Sequence, residues 1–139
     1  MPAILCLGEP MLEFNQQPAG PDGRRLYLEG HGGDTSNAAI AAARSGADVG
    51  MISALGEDAA GASFRALWQM EGVDASAVRG DAEAPTGIYF VTHGETGHDF
   101  TFYRRGSAAS RMRPADMPEA AIRGAAATAA TAGWCRRTR

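Results

Sequence analysis

The sequence predicts an α/β fold: a mostly parallel sheet with flanking helices, into which antiparallel hairpins are inserted. Three observations carry this. Ala3–Leu7 and Val49–Leu55 are short, nearly continuous apolar runs, the pattern of strands buried on both faces of a parallel sheet. Helical patterns follow them, at Ala38–Ala43 and around Phe64 to Met70. Two pairs of β-prone runs flank the turn-rich segments Pro18–Gly23 and Gly94–Gly97 and read as hairpins.

Composition bounds the possibilities. A chain of 139 residues with 45% apolar and 21% charged residues suits one ordinary globular domain. No run approaches the roughly 18 apolar residues of a spanning helix, and Met1-Pro2-Ala3 does not open a secretory signal, so a cytoplasmic location without membrane association is expected. Cys6, in an apolar run, reads as core; Cys135 lies in a basic tail, and the pair suggests neither a disulfide nor a metal site. A formal net charge of −3 gives no reason to expect nucleic acid. All 13 basic residues are arginine, which excludes a phosphate-loop lysine and Schiff-base chemistry within the chain.

In chain order, the first strand ends at Gly8, and Glu9 stands where it leaves the core, where ligands of open α/β sheets gather. As a lone carboxylate, Glu9 reads first as capping or solvated. Met11–Gln17 and Arg25–Glu29 then form a hairpin that precedes the first helix, an unusual insertion for a βαβ unit. Gly30, Gly32 and Gly33 permit a sharp turn, and Asp34, Thr35 and Ser36 are helix-capping types, so a helix is expected to start here and to stop at Gly46. Its N-terminus beside Gly33 is either the start of a packing helix or a seat for an anionic or polar ligand.

The second buried strand leads through Gly56–Gly61 into an amphipathic helix whose inner face is expected to carry Phe64, Leu67, Trp68 and Met70, with Gly72 as its end. A short Val78-Arg79 segment follows. In the second hairpin, alternation places Phe100, Phe102 and Arg104 on one face and Thr101 and Tyr103 on the other. An aromatic floor ending in a guanidinium suits a sugar acid; a solvent-facing arginine fits the pattern equally. His93 and His98 face each other across the loop but lack a third ligand, so a solvated hairpin tip is expected. A last helix is expected near Glu119. From Gly124 the apolar periodicity is lost, and residues 125–139 are expected to form an irregular tail.

Two familiar sites are excluded. No Gly-x-Ser-x-Gly nucleophile elbow accompanies His31-Gly32-Gly33, and Thr35 stands where the third glycine of a dinucleotide fingerprint belongs.

Gly8-Glu9-Pro10, Gly32-Gly33-Asp34-Thr35 with Asn37, Gly56-Glu57-Asp58 with Gly61, Glu71-Gly72-Val73-Asp74, Thr86-Gly87-Ile88-Tyr89 and Tyr103-Arg104-Arg105-Gly106-Ser107-Ala108 succeed one another in a specific order. In this the chain resembles the ribokinase-like (PfkB) carbohydrate kinases, and among them the 2-keto-3-deoxygluconate kinases. The resemblance implies a partial ribokinase-like fold over residues 1–124, with an antiparallel β lid from hairpins at about 11–30 and 86–104. The lid would cover a small sugar acid and could join two copies as a homodimer. By the same resemblance Gly33, Asn37, Tyr89, Phe102 and Arg104 bind the sugar, Arg104 holding its carboxylate. Some relatives have tyrosine where Phe102 stands, a difference of one hydroxyl.

The reaction implied is transfer of the ATP γ-phosphoryl group to a sugar hydroxyl with Mg2+ assistance. The family's Gly-Ala-Gly-Asp motif, which carries the catalytic base, does not occur in the sequence. No catalytic, ATP-binding or metal residue is therefore expected in this chain, which reads as the sugar-binding portion, inactive alone. The abrupt change after residue 124 suggests a shifted reading frame or an early end. The rival readings are a non-catalytic sugar-binding or dimerisation module, a fructokinase-like or ribokinase-like specificity, and a chain too incomplete to fold stably.

Overall fold

The computed structural model describes residues 1–131. Along the chain run β1 (Ile4–Leu7), β2 (Met11–Gln17), β3 (Leu26–Gly32), α1 (Asp34–Arg44), β4 (Val49–Gly56), α2 (Ala59–Glu71), β5 (Val78–Asp81), β6 (Ile88–Gly94), β7 (Gly97–Tyr103), α3 (Glu119–Gly124) and β8 (Ala127–Ala130), with 3-10 turns at Ala109–Arg111 and Pro114–Asp116.

One sheet has the order β5-β4-β1-β8 and is parallel throughout. Every residue of β4 is buried, as its nearly continuous apolar run requires. β8 was not foreseen. The expected irregular tail instead gives Ala127–Ala130 to the sheet, where they pair with Ile4–Leu7 as an exposed edge strand. Small side chains without alternation carry no strand signal of their own, so here the neighbouring strand decides the conformation. Cys135 and the rest of the basic tail lie outside the described residues.

The second sheet, β3-β2-β6-β7, is the lid, and it is mixed rather than antiparallel. β2–β3 and β6–β7 are antiparallel hairpins, but Leu12–Asn15 pair in parallel with Ile88–Val91. β2 and β6 run side by side in the same direction, each followed by its own antiparallel partner, so the seam between the two hairpins is parallel. The β6–β7 ladder continues to Gly94 opposite Gly97, which leaves a two-residue turn instead of the expected four-residue loop. Gly97, the residue after that turn, has φ 134°, a conformation that glycine adopts without a Cβ penalty.

Of the three glycines expected to turn the chain before α1, only Gly33 does so, with φ 106°; Gly30 and Gly32 extend β3. Gly33 is itself the N-cap, and Asp34, Thr35 and Ser36 form the first helical turn without capping bonds. Thr35 and Ser36 are buried. Thr35 packs where a Cβ on Gly8 would lie, so α1 approaches the end of β1 closely. At the other end Gly46 (φ 86°) closes the helix as expected, its amide donating to Ala43 O at 2.9 Å.

α2 is capped by Asp58, whose Oδ1 accepts from Gly61 N at 2.8 Å, and stops at left-handed Gly72. Phe64 and Trp68 are fully buried on its inner face, whereas Met70 is 78% exposed. Two residues beyond Trp68 is about 200° round a helix, so Met70 faces outward. Cys6 lies in the core with Leu5, Val49, Met51 and Leu55, and burial pushes its thiol pKa up. Among the described residues no helix is long and apolar enough to cross a membrane.

Trp68 Nε1 donates to Ser36 Oγ at 2.9 Å with both residues buried, a polar link between α1 and α2. Ser36→Ala would leave the indole N–H buried without an acceptor. It should lower unfolding stability by about 1–3 kcal/mol, read as a lower urea midpoint at unchanged slope.

Candidate functional site

The carboxyl ends of β1 and β8, the N-terminus of α1 and one face of the lid converge on a pocket of about 350 Å³. Glu9 borders it from the segment between β1 and β2, Met11 from the first position of β2, Gly33 and Asp34 from the start of α1, and Thr131 from the residue after β8. The lid contributes Tyr89, Phe100, Phe102 and Arg104.

Strand alternation and register explain the lid's contribution. Tyr89 on β6 lies opposite Phe102 on β7, and Val91 opposite Phe100, so the aromatic side chains share a face. Their ring centroids are 5.5 Å apart for Tyr89–Phe102 and 6.2 Å for the stacked Phe100–Phe102 pair. Phe100 and Phe102 are more than half exposed, an apolar surface open to whatever enters. Tyr103 points to the other face, against Phe90, as the alternation predicts.

Tyr89 is buried, and its hydroxyl donates to Glu13 Oε2 on β2. Burial first, and then the Glu13 carboxylate and the charge of Asp34, hold its phenol pKa well above the tyrosine range. Gly32 makes room for the ring, because a Cβ there would overlap the phenol.

Glu9 is neither a cap nor solvated. Its side chain is only 4% exposed. Ser107 Oγ donates to Oε1 at 2.5 Å, and Arg104 Nη2 stands 2.6 Å from Oε2 as an ion pair without hydrogen-bond alignment. Arg104 is 38% exposed and lines the pocket. A Cβ on Gly87 would come within 2.6 Å of Glu9 Oε1, so that glycine leaves the carboxylate its space.

Of the residues singled out from the sequence, the structure brings Gly33, Tyr89, Phe102 and Arg104 together. Asn37 is exposed one turn along α1 and does not line the pocket; its backbone N–H donates to Gly33 O. Sequence reasoning left out Asp34, Met11 and Thr131 as lining residues and Ser107 as a partner of Glu9. Ser107 lies inside the Tyr103–Ala108 motif; Thr131 carried no signal, because it follows a strand without apolar alternation of its own.

Other motif residues are structural. Asp58 accepts from Thr86 N and Thr86 Oγ1, each at 2.8 Å, and Thr86 Oγ1 accepts from Gly56 N at 3.0 Å, which ties the start of the lid's second hairpin to the β4–α2 turn. Burial pushes the Asp58 carboxyl up, but the hydrogen bonds from Thr86 and Gly61 outweigh it and leave its pKa below the usual range. His31 Nε2 lies 2.8 Å from Ser63 Oγ and its ring meets Phe64 edge-on, pinning β3 to α2. His93 and His98 contact each other through Nδ1 atoms 2.7 Å apart at the exposed hairpin tip.

Among the described residues no group of three or more His, Cys, Asp and Glu could hold a metal ion. Asp34 places a negative charge at the start of α1, where a phosphate would otherwise sit. A helix start that carries this charge is a poor seat for a phosphate.

The model of the pfkB family of carbohydrate kinases matches residues 1–132. The chain belongs to this family. The 2-dehydro-3-deoxygluconokinase of Thermoproteus tenax is 36% identical over 137 residues, covering 94% of this chain and 42% of that protein. A fructokinase structure from Xylella fastidiosa superposes with a TM-score of 0.86 at 30% identity, over 91% of this chain and 40% of the other. A structure of fructokinase with bound ATP from the same organism superposes with a TM-score of 0.86 at 27% identity. The chain thus spans about two fifths of the length of these PfkB kinases, and its fold is the corresponding part of a ribokinase-like sugar kinase.

Tyr89→Phe gives a direct check on the pocket's floor. The difference between the ultraviolet pH titrations of the parent and the variant should show a phenol ionising well above the ordinary value of about 10. A difference curve centred on the ordinary value would contradict the buried Tyr89–Glu13 arrangement.

Proposed function

We propose that this chain is the sugar-binding and lid portion of an ATP-dependent sugar kinase whose substrate is a keto sugar acid of the 2-keto-3-deoxygluconate class. The observation that carries the reading is one guanidinium, Arg104, at the end of an aromatic face that closes a pocket of about 350 Å³. Phe100, Phe102 and Tyr89 would cover the carbon skeleton and exclude water from one side. Arg104 still has N–H groups not spent on Glu9, and these would take the carboxylate. Asp34 and the backbone at Gly33 would meet the sugar's hydroxyls. The name of the Thermoproteus tenax relative supports the sugar-acid class.

In a whole kinase ATP supplies the phosphoryl group and Mg2+ neutralises its developing charge. In this reading Glu9 is spent on Arg104 and Ser107 and Asp34 accepts from a sugar hydroxyl, so the groups described above bind and orient an acceptor. The reading therefore assigns binding to this chain and phosphoryl transfer to the remainder of a full-length kinase.

Titration calorimetry of the purified chain, with a coupled ADP assay beside it, tests this. The chain should bind 2-keto-3-deoxygluconate saturably and more tightly than fructose, and form no ADP from ATP and sugar. Arg104→Ala should weaken binding of the acid about tenfold or more, as loss of a charge-assisted hydrogen bond does. Sustained ADP formation would contradict the division of labour, and tighter binding of fructose would contradict the sugar-acid class.

A further inference from the structure

Both oxygens of Glu9 are committed, one to Ser107 Oγ at 2.5 Å and the other to Arg104 Nη2 at 2.6 Å. The carboxylate has nowhere to go. Its side chain is 4% exposed, the Gly87 backbone walls in Oε1, and its own carbonyl lies 2.6 Å from where a Cβ on Gly33 would be. Arg104 differs in every respect. It stands just past the end of β7 and is 38% exposed, and its long side chain has many rotamers open to it. In this pair Glu9 is the fixed member and Arg104 the one that needs fixing.

The charge count sharpens this. Glu9 balances Arg104, and Asp34 adds a further negative charge to the lining, so the pocket does not attract a carboxylate by net charge. It can select one only by the direction in which the guanidinium presents its remaining donors. We infer that Glu9 is a positioning residue that holds Arg104 by one nitrogen so that its free edge faces the sugar carboxylate. Ser107 supports it from behind. This rests on the sugar-acid reading above.

The test is a double-mutant cycle read by binding of two ligands, 2-keto-3-deoxygluconate and fructose, to the purified chain. Glu9→Gln keeps the shape but removes the charge that anchors Arg104. It should weaken the acid about tenfold and change fructose by less than about twofold. Ser107→Ala, which leaves the ion pair in place, should weaken the acid by about threefold, and it carries the test if Glu9→Gln fails to unfold cooperatively. In an Arg104→Met background both substitutions should lose their effect, because residues acting through one group are not additive.

A merely structural Glu9 would weaken both ligands alike and would add to Arg104→Met; either result overturns the inference. So does a gain in acid affinity in Glu9→Gln, which would make Glu9 a simple repeller of the carboxylate. If Arg104→Met itself leaves acid binding unchanged, the sugar-acid reading falls and takes this inference with it. If Arg104→Met abolishes the preference for the acid while Glu9→Gln and Ser107→Ala do not reduce it, the positioning role alone is lost.

Discussion

A carboxylate buried at the end of the first strand is the constraint on which the site depends. Removing a charge from water costs several kcal/mol unless it is paired and hydrogen-bonded. Glu9 meets that requirement with partners that lie just past the last strand of the lid, Arg104 and Ser107. Once Glu9 is buried where β1 leaves the core, β7 must end beside it. The lid's aromatic face is thereby held over the start of α1, and the pocket is the space left between.

The rest of the lid attachment works toward the same placement. Leu12 and Ile88 extend the apolar core into the parallel seam of the lid. Asp58 and Thr86 fasten the base of one hairpin, and His31 with Ser63 fastens the other. Glycines at 32 and 87 are needed because a Cβ would occupy the space of the Tyr89 phenol or the Glu9 carboxylate, not because the chain turns there. These side chains decide the shape of the pocket more than the strands that carry them.

Much of this was legible in the sequence. Continuous apolar runs identified β1 and β4, alternation identified the aromatic face of β7, and Gly46 and Gly72 marked helix ends. What escaped was set by partners distant in the chain. Ser107 is 98 residues from Glu9, so the carboxylate looked solvated until the fold brought them together. The parallel seam between β2 and β6 and the strand Ala127–Ala130 likewise arise from pairing rather than from local pattern. Asp34, Thr35 and Ser36 were legible as helix-start residues, but Gly33 took the cap, and their side chains went instead to the pocket and the core. Of the five sugar-site positions named from the sequence, Asn37 alone stands apart from the pocket, one exposed turn along α1.

The central claim is that the pocket between Glu9, Gly33 and the lid's aromatic face is where a sugar acid binds. Amide and arginine side-chain NMR spectra of the chain, recorded while 2-keto-3-deoxygluconate is added, test it most directly. The account predicts saturable shifts at Gly33, Asp34, Tyr89, Phe102 and the Arg104 Nε–H, with the hairpin tip at His93 and His98 unmoved. Shifts confined to surfaces away from this pocket, or none at saturating sugar, would contradict it.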